Sequence, residues 1–249
     1  MADQASGDPA GAGRTAAEPI VPRDAATLVI VDRSSGELRV LLGKRRTSQA
    51  FAPGKYVFPG GSVDPGDLEL ATGELLAAGD RAALMHDIKE RSGSVTPETF
   101  ALAAIRETFE ESGLMVGERR SELPRATSPG WERFLAHGLA PSIRALSFFA
   151  RAITPPGRSR RFDARFFHVE ASAVTFDSGS NDGEFEELVW CSAGEARARN
   201  LHGMTLTAIE ELELRLALSP EAQMQAPVPY FVQSSGRWQR RLIPRQPAQ

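Results

Sequence analysis

Fifteen consecutive residues, Leu102 to Val116 (LAAIRETFEESGLMV), constrain this chain more than any other stretch. Glu107, Glu110 and Glu111 are spaced i, i+3 and i+4, which on an α-helix stacks all three carboxylates on one narrow stripe. Leu102, Ile105 and Phe109 fall at i, i+3 and i+7, so another face is apolar and suited to a core. Thr96-Pro97 reads as N-cap and first helical residue, and Gly113 as the left-handed residue that closes the helix. The spacing therefore predicts a helix over 97–112 with its acidic stripe in the last turns. That end of a helix repels anions, and Glu107 with Glu111 is a like-charged i, i+4 pair. Arg106, four residues before Glu110, relieves part of the repulsion. A divalent cation held by clustered hard oxygens relieves more. The alternative is a plain solvated acidic face.

A second feature lies upstream, Tyr56 to Asp67 (YVFPGGSVDPGD). A short aromatic and β-branched run stops at Pro59, and Gly60-Gly61 demands a turn or a close backbone approach. Asp64 and Asp67 follow. Taken alone, Pro-Gly-Gly reads first as a structural turn.

Together the two features resemble a Nudix box: Gly, five residues, Glu, seven residues, then Arg-Glu, an apolar residue, any residue, Glu-Glu, any residue, Gly and an apolar residue. Arg106 to Leu114 matches the second half, with Thr108 in the apolar position. Gly61 and Asp67 match the first half, with Asp in place of Glu. Between the halves lie Leu68 to Ile105, 38 residues, so the box carries an insertion of about thirty residues. Aligning Glu98 as the first Glu instead puts Ser92 in the glycine position and leaves Phe58-Pro59-Gly60-Gly61 unused.

The resemblance implies the Nudix fold, a mixed-sheet α/β/α sandwich (α/β, or α+β), here with a helical insertion. It also implies Mg²⁺ or Mn²⁺ held by Glu107, Glu110 and Glu111, with the backbone carbonyl of Gly60 as a further ligand. Arg106 then orients a carboxylate of the stripe, and Asp67 substitutes for the first Glu of the box. The base that activates water comes from a later loop, where Glu184, Glu186 and Glu187 are candidates; Glu187 is carried forward as the catalytic choice. The expected chemistry is metal-assisted hydrolysis of a phosphoanhydride.

Leu41 to Gly61 resembles the stretch before the box in coenzyme A diphosphatases, through Leu41, Leu42, Arg45, Gly54 and Phe58 to Gly61; Gly43, Arg46 and Ala50 depart from it. The insertion, together with Arg160 to Phe167, looks most like the acyl-coenzyme A diphosphatases. This implies coenzyme A or acyl-coenzyme A as substrate, with Arg45, Gly61, Arg160, Arg161 and Arg165 toward it. A dinucleotide, nucleotide sugar or nucleoside triphosphate is the nearest rival substrate. A non-catalytic nucleotide-binding module is the rival from another class.

The remainder of the chain fits one such domain. An apolar content of 41% and a net charge of −3 over 249 residues are ordinary for a soluble globular protein and give no basic excess for nucleic acid. No apolar run reaches membrane-spanning length. The single cysteine, Cys191, excludes an internal disulfide and fits a reducing, cytoplasmic setting. Residues 1–22 read as a disordered tail and 23–249 as one domain, with a C-terminal extension over about 218–249. Strands are expected over Ala26–Asp32, Leu38–Leu42, Arg144–Ile153 and Ala164–Glu170, with a turn running into another strand over 182–190. The insertion reads as two short helices, Leu70–Ala78 and Arg81–Arg91, serving as a lid or packing beside the sheet; His86 within it reads as a surface or packing residue. Residues 117–142 read as polar loop, with a helix over Trp131–His137. Ser192 and Glu195 form a capping box, Thr205–Leu216 an amphipathic helix, and Pro229–Leu242 a terminal hairpin. Lys44-Arg45-Arg46 and the loop 154–161, which carries Arg158, Arg160 and Arg161, are solvated charge or phosphate contacts. The expected partner is a small nucleotide-linked molecule. A homodimer is left open.

Overall fold

The computed structural model describes residues 20–49, 52–86, 88, 95–126, 128–179 and 181–245. The expected tail over 1–19, Ala50 and most of the second half of Arg81–Arg91 lie outside these. The main sheet begins with β1 (Arg23–Asp32) and β2 (Arg39–Arg45), an antiparallel pair. Their turn is the expected one: the Gly36 N–H donates to the Arg33 carbonyl at 3.0 Å. The path of the sheet runs from β10 (Phe185–Ser192) through β2 and β1 to β8 (Phe162–Glu170) and β7 (Ser147–Ile153). It ends in the C-terminal hairpin of β11 (Val228–Ser234) and β12 (Arg237–Ile243). β1 with β8 and β7 with β11 are parallel, and the other neighbours on that path are antiparallel, so the sheet is mixed. Two short strands, β3 (Tyr56–Val57) and β4 (Gly60–Ser62), attach to β2 and β1. A separate small sheet joins β6 (Ala140–Pro141), β5 (Leu114–Glu118) and β9 (Val174–Asp177). β6 and the last two residues of β5 fall in the stretch 117–142 expected to be loop. The Leu114-Met115-Val116 run just past Gly113 carried the strand signal for β5.

Alternation along β1 divides the core. Ala26, Leu28 and Ile30 face one cluster, and Val29 and Val31 face the other. The first side is covered by α3 (Pro97–Ser112), the second by α6 (Gly203–Leu216) through Ala208, Ile209 and Leu212. α3 has the expected ends: Thr96 and Thr99 form a capping box, Pro97 opens the helix, and Gly113 closes it at φ 78°. It is buried nearly all round, however, and only part of its acidic stripe meets solvent. α4 (Pro129–Leu135) and α5 (Ala193–Arg197) complete the covering layers, the latter capped by Ser192 and Glu195 as expected. α7 (Pro220–Gln225) leads from α6 to β11.

The insertion differs from its expected form. Leu70–Ala78 is not a helix. Instead a five-residue helix, α1 (Pro65–Glu69), precedes it, and α2 (Ala78–Leu84) follows. The physical reason is burial: Leu70 and Leu76 both enter the core, with Gly73 at φ 71° between them. Glu74 is buried, paired with Arg120 and accepting the Ile143 N–H at 2.8 Å. These tertiary contacts outweigh local helix propensity. α2 is fixed as firmly, since Asp80 is buried in an ion pair with Arg245, whose Nη2 donates to the Phe148 carbonyl at 2.5 Å. The described part of the insertion therefore packs into the core through Leu70, Leu76 and Asp80.

One core residue on the α6 side is polar. His168 of β8 is buried against the Phe149 ring, and neither of its ring nitrogens has a hydrogen-bond partner. Burial first, then the charges of Arg215, Arg33 and Arg245, push its pKa down from 6.5 to about 4. The unfolded chain thus binds a proton near pH 6.5 that the folded chain refuses until about pH 4. This contribution to stability is present above pH 6.5 and is lost as pH falls through that window. A His168→Leu variant is expected to keep stability, or gain about 1 kcal/mol at pH 7. It should then hold about 3 kcal/mol more of it than wild type at pH 4. Urea unfolding of both proteins across that pH range checks it; parallel curves would mean that the histidine is not buried as described.

Candidate active site

The glycine turn and α3 meet through the sheet. β4 pairs with β1, placing Gly60 opposite Thr27 and Gly61 opposite Ala26. A side chain at Gly60 would come within 2.6 Å of the Ala26 carbonyl, so the close approach is what glycine permits here. The Gly60 N–H donates to Glu111 Oε2 at 2.9 Å. Gly61 lies against Glu107, where an added Cβ would stand 2.5 Å from its carboxyl carbon. Gly61→Ala is therefore expected to displace the Glu107 carboxylate and lower kcat about a hundredfold while moving the melting temperature little. Hydrolysis assays beside a thermal melt check this; an unchanged kcat would show that Glu107 need not sit there.

Arg106 is the hub. Its Nε and Nη2 donate to the two oxygens of Asp67 at 2.8 and 2.9 Å. Nη2 also donates to the Ser62 carbonyl, and Nη1 donates to Glu107 Oε1 at 2.8 Å and Glu110 Oε2 at 2.9 Å. Asp67, 1% exposed, further accepts from the Trp131 indole at 3.0 Å and the Asp64 N–H at 2.8 Å. This aspartate thus holds the arginine that holds two carboxylates of the stripe. Burial works against the charge of Arg106, but Asp67, Glu107 and Glu110 outweigh it and raise its pKa. Glu110 is also held by Arg133 Nη2 at 2.6 Å, so guanidinium groups take both its oxygens.

Glu107 and Glu111 are less relieved. Burial raises Glu107 to about 7 against the pull of Arg106, with Glu110 and Asp67 adding to the rise. Glu111, 3% exposed, is pushed well up by burial, then by Glu184 and Glu107; the Gly60 N–H and Arg45 only partly oppose this. Glu184 comes from the loop before β10, which docks on the end of α3 where the Asp182 N–H donates to the Glu110 carbonyl at 2.8 Å. Of the three late glutamates, Glu184 is the one whose charge reaches Glu111, and it is paired with Arg45. Glu186 pairs with Lys44 at 2.5 Å. Glu187, the sequence choice, instead accepts from the Tyr56 hydroxyl at 2.9 Å. The register of β10 on β2, with its irregularity between Phe185 and Glu187, decides which side each takes.

The arginines expected toward substrate separate. Arg165 is withdrawn from that role: it is 2% exposed, bonded to Asp24 at 2.7 Å and the Asp163 carbonyl, and stacked 4.1 Å from the Phe100 ring centroid. Its own sequence neighbour Asp163 makes the burial tolerable, pairing with both Arg165 and Arg151. Arg161 bonds the Thr154 and Ile20 carbonyls, and Arg160 is exposed on the same loop. Arg133 and Trp131, which sequence reasoning missed, reach the box from 23 and 64 residues away with no local signal. A cleft of about 200 Å³ lies on the other side of Asp67, between Thr72, Glu74, Thr96 and Glu98. None of the stripe carboxylates lines it.

Among the described residues no three acidic, histidine or cysteine side chains already converge as a metal cage. The donor set nonetheless suits a hard dication: buried carboxylates on Glu107 and Glu111, with Glu184 close enough to raise the latter. Their mutual repulsion is what such an ion neutralises, and Arg106 leaves the second oxygen of Glu107 unengaged by its own bond.

A mixed sheet between α3 and α6, with a glycine turn on the acidic end of α3, is the fold of the Nudix hydrolases. A Nudix hydrolase crystal structure from Alicyclobacillus acidocaldarius superposes with a TM-score of 0.58 at 24% identity, over 82% of this chain and 96% of that one. Among curated proteins, an acyl-coenzyme A diphosphatase NUDT19 of Gallus gallus is 27% identical over 212 residues, 66% of this chain. The Xenopus laevis protein of the same name is 25% identical over 240 residues, 70% of this chain. The matches span 56% and 63% of those relatives' own lengths. No protein-family model matches the chain.

Proposed function

We propose that the chain hydrolyses a phosphoanhydride in a nucleoside-diphosphate-linked substrate, with coenzyme A or acyl-coenzyme A as the leading candidate. The products would be 3′,5′-ADP and (acyl)phosphopantetheine. The observation that carries the reading is the seating of Glu111 and Glu107 against Gly60 and Gly61, with the charge of Glu184 reaching Glu111. The similarity to the two vertebrate acyl-coenzyme A diphosphatases supports the substrate. Mg²⁺ or Mn²⁺, held by Glu107 and Glu111 with the Gly60 carbonyl, would screen the phosphate oxygens and lower the pKa of a bound water, whereas Glu110 has both oxygens taken by Arg106 and Arg133. The chain's own groups do the positioning. The Gly60 N–H fixes the Glu111 carboxylate, and Arg106 fixes Glu107. The charge of Glu184 on Glu111 and its pairing with Arg45 support Glu184 rather than Glu187 as the late carboxylate that takes a proton from water.

Mg²⁺-dependent hydrolysis of coenzyme A, acyl-coenzyme A, NADH, ADP-ribose and dNTPs, with Glu111→Gln as control, tests this. Coenzyme A species are expected to be cleaved fastest. Cleavage of other nucleotides alone would reject the substrate and keep the chemistry. Cleavage of none would leave a nucleotide-binding module.

A further inference from the structure

Beyond the box, a second group of charges stands at the mouth of the site, and it is cationic. Tyr56 of β3 holds the segment before α6: its N–H donates to the Asn200 carbonyl at 3.0 Å, and its carbonyl accepts the His202 N–H at 3.2 Å. Lys55 precedes it, and its Nζ reaches the Leu201 carbonyl at 3.4 Å. The Lys55 carbonyl in turn accepts the Arg45 N–H at 3.0 Å. Arg45 is the residue paired with Glu184, so Lys55 is joined by one backbone hydrogen bond to the arginine that holds that carboxylate, and His202 is joined to the neighbouring Tyr56. Arg158, exposed on the loop between β7 and β8, extends its charge to the same place. Burial lowers the pKa of His202, and Lys55, Arg158 and Arg45 each lower it further. Arg45 has its glutamate, but neither Lys55 nor Arg158 has a carboxylate partner among the described residues.

Unpaired cations gathered around a half-buried imidazole repel one another and attract an anion. Glu184 is already paired with Arg45. The chain thus offers two neighbouring groups of opposite sign: carboxylates toward a diphosphate, and cations for a separate anionic group on the same molecule.

We propose that Lys55, His202 and Arg158 form a second phosphate subsite that takes a phosphomonoester on the ribose of the substrate. The assignment deepens the proposed function and rests on it for the identity of the substrate. It replaces the sequence expectation for Arg161 and Arg165, both engaged elsewhere, and moves the specificity contact from the end of the loop to Arg158 and to β3.

Two measurements on the full chain test it. In calorimetric titration, 3′,5′-ADP is expected to bind about tenfold more tightly than 5′-AMP, and Lys55→Ala with Arg158→Ala should erase that difference. Equal affinity of wild type for the two nucleotides overturns the subsite, whatever the enzyme hydrolyses. In steady-state assays, the same double variant should raise KM for coenzyme A about tenfold more than for dephospho-coenzyme A, with kcat kept. An equal rise for both overturns it too. If wild type cleaves neither, the substrate reading fails while the nucleotide titration still decides the subsite. A thermal melt of the double variant within a few degrees of wild type excludes misfolding as the cause.

Discussion

Glu111→Gln is expected to melt at a higher temperature than wild type in metal-free buffer at pH 8, while losing hydrolysis by about 10³-fold. The wild-type carboxylate is almost fully enclosed and faces Glu184 and Glu107. A buried charge with so little compensation destabilises the fold by a few kcal/mol. Glutamine keeps an oxygen for the Gly60 N–H and drops the charge, so a rise of about 5 °C is expected. The sign follows from the direction of the shift. A carboxyl whose folded pKa lies above its unfolded one holds its full stabilising proton only at low pH, and loses that contribution as pH rises. The advantage of glutamine should therefore shrink toward pH 5. Glu107, itself raised to about 7, is relieved of the Glu111 charge in the variant, which acts in the same direction. Mg²⁺ should raise the wild-type midpoint and leave the variant's unmoved. Differential scanning fluorimetry with and without Mg²⁺ is sufficient; a variant that melts lower at pH 8 would show that the carboxylate is better solvated than described.

Asp67→Ala is expected to do the opposite, destabilising the protein by about 3–5 kcal/mol. Removing one partner of a buried pair leaves Arg106 charged and enclosed, with the Trp131 indole and the Asp64 N–H also deprived of an acceptor. Activity should fall as well, by about 10–100-fold, because Arg106 is then free to swing and Glu107 loses its fixed position. Asp67→Asn keeps the shape and one acceptor, so it should sit between the two in urea unfolding. A melting temperature for Asp67→Ala equal to that of wild type would mean that the Arg106 network is not formed in solution.

These two residues also show which parts of the molecule could be read beforehand. α3 was legible from Thr96-Pro97 to Gly113 because its caps and its period are local, and local chemistry sets both. The glycine pair was legible as a turn or a close backbone approach because it follows Pro59 at the end of an apolar run, and the structure shows the close approach. The role of Asp67 was half legible: its position came from the box, but the two-pronged bond to Arg106 depends on α1 turning it inward. Glu184 could not be chosen over Glu187 from sequence, since a β-irregularity on the β2 edge sets which of them points to α3. Arg165 misled for a related reason: an arginine in a strand just beyond a charged loop reads as available to substrate until Asp24 and Asp163 are seen to hold it. Leu70–Ala78 misled because Glu74, which reads as helical surface, is buried among partners 46 to 70 residues away.

The Asp80–Arg245 pair ties the segment that interrupts the box to a residue just beyond the last strand. Gly61 and Glu107, which must meet for the site to exist, are joined through a stretch that is itself latched to residue 245. During synthesis on a ribosome, the buried carboxylate of Asp80 therefore waits for its counter-charge until residue 245 has emerged, long after every box residue has been made.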